Sequence, residues 1–520
     1  MGTWTAVFKK LQNGNDVRGI AIETEQEKIT LTPGTAVYIA EAFADWLAAE
    51  TGKEKSALRI GIGHDSRVTG PLFEEAAAQG FAGTQTLLCG LVSTPAMFQS
   101  TVLPESRFDG AVMITASHLP FNRNGMKFFT ENGGLEKAQM TDVLARAAAL
   151  AEGAGQDAAG LPEAPAERKV NTQSFDLITA YSNAMMNLIK EEVNAADHEK
   201  PLAGLHVVVD AGNGAAGFFA DRILKPLGAE TTGSVFLDPD GTFPNHVPNP
   251  ENGEAMEAVR KATLEAGADL GVIFDCDGDR AAVVFADGTE VNRNALIALL
   301  AVIVSEKKPG STIVTDSVTS DELGEFLTKN LGMGHLRFKR GYKNVINKGI
   351  ELNEEGTECE LAIETSGHGA FKSNYFSDDG AYICVRILIK MAQLKQHGKR
   401  IESLIADLKE PGESIERRFT IKEEEFGAYG DGVLEGFRKY AEADSRFHIV
   451  EPNYEGVRIA FDDEEVKGWV LLRKSLHDPV MPMNVESAEP GGTAVIMNRL
   501  APFFDTCTGL SALKGKNNSH

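Results

Sequence analysis

A chain of 520 residues is too long for one hydrophobic core and is expected to fold as several domains. Its 42% apolar and 24% charged residues are those of a water-soluble globular protein, and a formal net charge of −24 argues against a nucleic-acid-binding surface. The longest apolar run, residues 295–304, is about half the length of a membrane span, lies between Arg293 and Glu306, and reads as a buried helix, so no membrane partner is expected.

Three segments share one local grammar: a short apolar run ending in Asp, then small or polar residues, then a helical pattern. They are 59–67 (RIGIGHDSR), 205–214 (LHVVVDAGNG) and 311–320 (STIVTDSVTS). Each predicts a buried parallel strand feeding a turn and helix, which makes three related α/β modules. After the first comes 109–129 (DGAVMITASHLPFNRNGMKFF), whose apolar strand delivers Ser117 to a loop shaped by Pro120 and Gly125. A serine hydroxyl is a weak nucleophile unless assisted, and His118 and Lys127 are the adjacent candidates for that help. Alone, the segment also reads as a turn whose Ser caps a helix and whose His and Lys are solvated. Residues 151–169, rich in Ala, Gly, Pro and Glu, form a linker.

At 212–217 the chain reads Gly-Asn-Gly-Ala-Ala-Gly, which matches a dinucleotide fingerprint and raises a nicotinamide-dependent oxidoreductase as an alternative from another class. A glycine-rich turn without a nucleotide is the simpler reading. Residues 268–280 (ADLGVIFDCDGDR) are more telling. A buried strand ends in Asp275, Asp277 and Asp279, which repel one another unless a hard cation neutralises them. The loop lacks the Gly and Glu of an EF-hand, and Mg²⁺ with phosphate oxygens is the expected occupant. A second break falls near 286–294. The island 335–348 (HLRFKRGYKNVINK) carries Arg337, Lys339, Arg340, Lys343 and Lys348 without an acid, a local place for a small anion on an acidic protein.

In 360–371 (ELAIETSGHGAF) a strand precedes Glu364, Ser366 and His368, side chains suited to sugar hydroxyls and acid–base work. A third break lies at 409–414. Beyond it the grammar changes to a smaller α+β domain, in which 468–479 (GWVLLRKSLHDP) ends a strand in Arg473, Lys474 and Ser475, a tip that fits a phosphate. The final residues, 511–520, read as disordered. The five scattered cysteines have no metal-ligand spacing and predict free thiols in a reducing compartment; with no signal-peptide pattern at the acidic start, a cytoplasmic location is expected.

Together, and in this order, these segments resemble the α-D-phosphohexomutase family (phosphoglucomutase/phosphomannomutase) over nearly the whole chain. Asp16-Val17-Arg18-Gly19, Ser93-Thr94-Pro95 and 239–252 (PDGTFPNHVPNPEN) add to the likeness. The resemblance implies four domains around a central cleft: 1–165 with a phosphoserine loop, 166–290 with a metal loop, 291–408 with a sugar loop, and a smaller phosphate-binding 409–520. It implies phosphate carried on Ser117, with Mg²⁺ bridging it to Asp275, Asp277 and Asp279. A hexose 1,6-bisphosphate serves as intermediate and activator. Arg18, Lys127 and Arg280 would stabilise the transferring oxygens, and Lys127 and His368 would act as acid and base. Gly341, Tyr342 and Lys343 would close on the sugar, with Glu364, Ser366, Arg473 and Ser475 as further substrate contacts. The implied activity interconverts hexose 1- and 6-phosphates of glucose or mannose, in a monomer or homodimer. Phosphoglucosamine, or a silent binding relative, are the alternatives. Departures from the family pattern are Leu119 in the serine loop and Leu476 and His477 in the C-terminal loop.

Overall fold

Ile60 to Gly63 carry no polar side chain, and Arg59–His64 accordingly runs as a strand buried on both faces between parallel neighbours Gln85–Leu91 and Gly110–Ile114. The computed structural model describes residues 3–155, 160–165, 168–475 and 478–512. It divides into two units: residues 1–292 with 366–402, and residues 293–365 with 403–520.

In the first unit, one sheet is ordered Gln12–Asn13, Asp16–Ile20, Arg123–Thr130, Gly110–Ile114, Arg59–His64, Gln85–Leu91 and Asn171–Ser174. Parallel strands lie at its centre and antiparallel ones toward Asp16–Ile20. Helix Pro33–Thr51 covers it. Its start is set by Pro33 and by Thr32, whose hydroxyl accepts from the Thr35 amide at 3.2 Å, and its end by Gly52 in the left-handed region. Phe43, fully buried, meets Phe128 of the sheet with ring centroids 4.8 Å apart. Part of the predicted linker is docked rather than free: Pro162 is buried, and its carbonyl accepts from the Thr32 hydroxyl at 3.4 Å.

A second sheet runs Glu290–Val291, Ala281–Phe285, Leu270–Phe274, Val207–Asp210, with the last two parallel. After Val207–Asp210 the expected helix is a six-residue π-helical segment, Phe219–Leu224. The first unit is completed by the hairpin Gly369–Phe371/Ser377–Asp378 and helix Gly380–Gln396. Arg386 of that helix donates to Glu192 at 2.8 Å, and Tyr181 donates to its capping residue Asp379 at 2.6 Å.

The second unit contains a parallel arrangement of Gly334–Arg337, Thr312–Thr315 and Leu361–Ile363 beside helix Arg293–Lys307. Residues 296–304 of that helix are all buried, as the apolar run predicts. An antiparallel sheet of His448–Ile449, Val457–Asp462, Lys467–Leu472, Val480–Ser487, Glu413–Ile421 and Leu510–Ala512 follows. Phe437, Phe461, Leu472, Met483 and Leu500 fill the space between it and helices Phe426–Glu442 and Gly492–Phe504. Three α/β layers and a β-rich C-terminal domain agree with the expected fold class. All five cysteines are free, and among the described residues no helix is long and apolar enough to cross a membrane.

Candidate active site

Ser117 sits three residues beyond strand Gly110–Ile114, at φ +50° and 8% exposed. A non-glycine residue in that region costs about 1–2 kcal/mol, so its surroundings must impose it. The Ser117 amide donates to Thr115 Oγ1 at 2.8 Å, and the Ser117 hydroxyl donates to Asp275 Oδ2 at 3.3 Å. His118 Nδ1 and Arg280 Nη2 each lie 3.5 Å from Ser117 Oγ. His118 is exposed, yet desolvation by the protein around it, then the charges of Arg280 and His368, hold its pKa below the usual value.

The three aspartates occupy the turn after strand Leu270–Phe274 and are all buried, with carboxylate oxygens within 4.8 Å of one another. Asp275 accepts from the Gly278 amide at 3.0 Å and from Arg280 Nε and Nη2 at 3.1 Å each. Lys127, on strand Arg123–Thr130 and 5% exposed, donates to Asp277 at 3.0 Å and Asp279 at 2.5 Å. Thr94, at the start of the short helix after Ser93, donates to Asp277 at 2.5 Å. Burial drives the Asp275 carboxyl well above its usual pKa, reinforced by Asp279 and Asp277. Burial presses Asp277 the same way, but Lys127 and Thr94 prevail and hold it low. Asp277 Oδ1 and Asp279 Oδ1 are buried with no hydrogen-bond partner. Two such oxygens beside a third carboxylate and a serine hydroxyl are the donor set of a hard divalent cation, so the residues fit a metal.

Arg18 reaches this centre from strand Asp16–Ile20. It donates to the Thr115 carbonyl at 2.7 Å and to Asp16 at 2.9 Å. Gly125 makes the room, because a Cβ there would stand 2.1 Å from the Val17 carbonyl oxygen and 2.8 Å from Arg18 Nη1. His368 hydrogen-bonds Asp378 through Nδ1 and lies 3.9 Å from Asp279. Burial alone would lower its pKa, but Asp378 and Asp279 outweigh it and raise the value to about 9. Ser117, His118, Arg18, Lys127, the aspartates, Arg280 and His368 thus converge within the first unit. Ser366, also in that unit, is buried.

Other predicted residues belong to the second unit. Gly341 donates its amide to Glu364 at 2.6 Å, and Tyr342 and Lys343 open helix Tyr342–Glu354. Arg473 is 9% exposed, its Nε has no hydrogen-bond partner, and burial with nearby Arg340 lowers its pKa. Ser475 Oγ accepts from the Asp478 amide at 3.2 Å, while Lys474 donates to Gly427 and Asp431. Leu476, His477 and residues 513–520 lie outside the described residues.

Sequence reasoning missed several partners. Asn249 accepts from Arg280 at 3.1 Å, Asp378 orients His368, and Asp65 with Arg67 underlies the serine loop. Asn249 lies in the 239–252 segment, and Asp65-Ser66-Arg67 directly follows strand Arg59–His64, so a signal of place existed without one of role. The 212–217 turn is occupied by the chain itself. A Cβ at Gly214 would stand 2.5 Å from the Cys276 carbonyl oxygen, and the Ala215 amide already donates to that oxygen at 2.8 Å. Gly214 lets the turn pack on the metal loop, while Gly212 and Gly217 make room for Pro248 and Leu237.

Three sequence profiles match the chain: phosphoglucomutase/phosphomannomutase alpha/beta/alpha domain I over residues 9–152, domain II over 180–288 and domain III over 292–411. A phosphoglucomutase of Neisseria gonorrhoeae is 28% identical over 504 residues, covering 96% of this chain and 98% of that protein. A phosphoglucomutase/phosphomannomutase of Thermococcus kodakarensis is 30% identical, covering 89% of this chain and 92% of that protein. The crystal structure of a phosphoglucomutase/phosphomannomutase family protein from Burkholderia thailandensis superposes with a TM-score of 0.76 at 26% identity, over 98% of this chain and 100% of that one. With matches of this extent falling on the segments that converge at Ser117, the chain belongs to the phosphoglucomutase/phosphomannomutase family, the α-D-phosphohexomutases.

Proposed function

We propose that this phosphohexomutase interconverts the 1- and 6-phosphates of glucose or mannose in the cytoplasm, with Ser117 as the phosphoryl carrier. The observation that supports it most is the buried Ser117 hydroxyl on Asp275, beside two carboxylate oxygens that lack partners. A substrate hydroxyl takes the phosphoryl group from Ser117 Oγ, giving a hexose 1,6-bisphosphate, and the other phosphate returns to the serine. Mg²⁺ held by Asp275, Asp277, Asp279 and an oxygen on Ser117 would neutralise charge on the transferring group.

The chain's own residues do the rest. Arg280, fixed by Asp275 and Asn249, faces Ser117 Oγ and offers its guanidinium to phosphoryl oxygens. Arg18 serves the same loop through the Thr115 carbonyl. Lys127 and His368 are the general acid and base, His368 being oriented by Asp378. Glu364 and Ser366 read the sugar hydroxyls, Gly341, Tyr342 and Lys343 enclose it, and Arg473 and Ser475 grip the non-reacting phosphate. The unpartnered Nε of Arg473 supports that assignment. In this reading the domains are 1–165, 166–290, 291–408 and 409–520.

A coupled assay of glucose 1-phosphate or mannose 1-phosphate with Mg²⁺ and a trace of the matching 1,6-bisphosphate tests this. Turnover is expected for the parent, and its loss with chelator or in Ser117→Ala. Silence of the parent on both sugars would sink the reading, and turnover on phosphoglucosamine alone would redirect it.

A further inference from the structure

The mechanism leaves unused one of the most deeply buried cations in the first unit. Arg67 is 1% exposed, yet it does not pair with the metal-loop aspartates. Its Nη2 donates to the carbonyls of Ser117 at 2.5 Å and Leu119 at 2.6 Å, and its Nη1 to those of Pro120 at 2.7 Å and Arg123 at 3.0 Å. Four N–H groups on four carbonyls occupy both Nη atoms of the planar fork, while Nε makes no hydrogen bond. A lysine, with three tetrahedral donors on one atom, cannot reproduce that.

Arg67 is itself fixed. Asp65, wholly buried, stands 3.3 Å from Arg67 Nε and accepts from the Arg67 amide at 2.9 Å. Asp65 Oδ2 also accepts from Thr115 Oγ1 at 2.6 Å and from the Cys276 thiol, between two metal-loop aspartates, at 3.3 Å. Thr115 Oγ1 in turn accepts from the Ser117 amide. A third loop closes the other face: the Arg67 guanidinium lies 5.3 Å from the Phe243 ring centroid, and a Cβ at Gly241 would be 2.4 Å from the Ser66 carbonyl oxygen.

We infer that Arg67 is a positioning residue for phosphoryl transfer: anchored on Asp65, it clamps the serine loop to the metal loop and holds Ser117 at its left-handed φ, with Oγ on the aspartate cluster. The inference rests on Ser117 being the phosphoryl carrier. The Ser117 carbonyl is gripped by Arg67 and its amide by Thr115, so both sides of the strained residue are fixed through Asp65. With the clamp loosened, the residue relaxes out of the left-handed region and Oγ leaves its place. Transfer then slows while groups that bind the sugar are untouched.

The test uses the full chain. Arg67→Lys keeps the charge and loses the fork; Thr115→Val removes the hydroxyl link, and Thr115→Ser restores it. Steady-state kinetics are paired with single-turnover transfer from glucose 1,6-bisphosphate to dephosphorylated enzyme, followed by intact mass. In Arg67→Lys and Thr115→Val, kcat and the single-turnover rate should fall roughly 100-fold, with KM changed less than about twofold. Thr115→Ser should return to near the parental rate. If Ser117→Ala is inactive but both variants transfer at the parental rate per folded molecule, the clamp is wrong. If Arg67→Lys fails to fold, Thr115→Val and its serine rescue decide alone. Turnover by Ser117→Ala would instead overturn the serine reading beneath it.

Discussion

A carboxyl group buried next to a guanidinium is not thereby ionised. Glu486, on strand Val480–Ser487 and 8% exposed, shows the balance: burial raises its pKa to about 7, against the pull of Arg458. Its Oε1 accepts from Ser414 at 3.3 Å, while Oε2 is buried without a hydrogen bond. The unfolded chain releases this proton near its ordinary pKa of 4.5 and the folded chain only near 7. The folded state therefore binds more protons in that window, and stability falls as pH rises through it. Complete expression of the effect would cost about 3 kcal/mol above pH 7. Glu486→Gln should match the parent near pH 4 and melt at higher temperature from pH 7 upward. Parallel melting-temperature profiles from pH 4 to 8 would refute this.

At the scale of elements, local preference and packing disagree at the start of helix Pro33–Thr51. Alanine favours a helix over glycine by about 1 kcal/mol, so Gly34→Ala looks stabilising on propensity alone. The chain nearby says otherwise: a Cβ at Gly34 would lie 2.2 Å from the Pro162 carbonyl oxygen and 2.7 Å from the Ala164 amide nitrogen. Backbone cannot swing aside as a side-chain tip can. Gly34→Ala should destabilise the first unit by roughly 1–3 kcal/mol, read as a lower denaturation midpoint. A raised midpoint would show that the 160–165 segment does not hold the helix start. The same contrast explains what could be read from sequence. Strands Gly110–Ile114 and Leu270–Phe274 and the buried helix Arg293–Lys307 were legible because period and composition are local. So were Ser117 and the three aspartates, which sit within a few residues of a strand end. Arg67, Asn249 and Asp378 were not, because each works on a group that only folding brings near. Arg67 grips backbone carbonyls some fifty residues away, which leave no mark in side-chain spacing.

At the scale of the molecule, the first unit is discontinuous: residues 1–292 are completed by 366–402. Helix Gly380–Gln396 buries Tyr382, Ile383, Val385, Ile387 and Leu388, and it meets Glu192 and Tyr181 through Arg386 and Asp379. A fragment ending at residue 292 loses that cover and should bind a hydrophobic dye and be cut faster by protease than the full chain. Native near-ultraviolet dichroism and undiminished protease resistance in the fragment would contradict this. The same discontinuity bears on how the protein is made. A ribosome that has just released the third aspartate, Asp279, must add more than a hundred further residues before His368, Asp378 and helix Gly380–Gln396 have all followed. At bacterial-to-eukaryotic elongation speeds that is on the order of ten seconds, during which the acidic cluster lacks its histidine and the flank that helix Gly380–Gln396 covers stays bare.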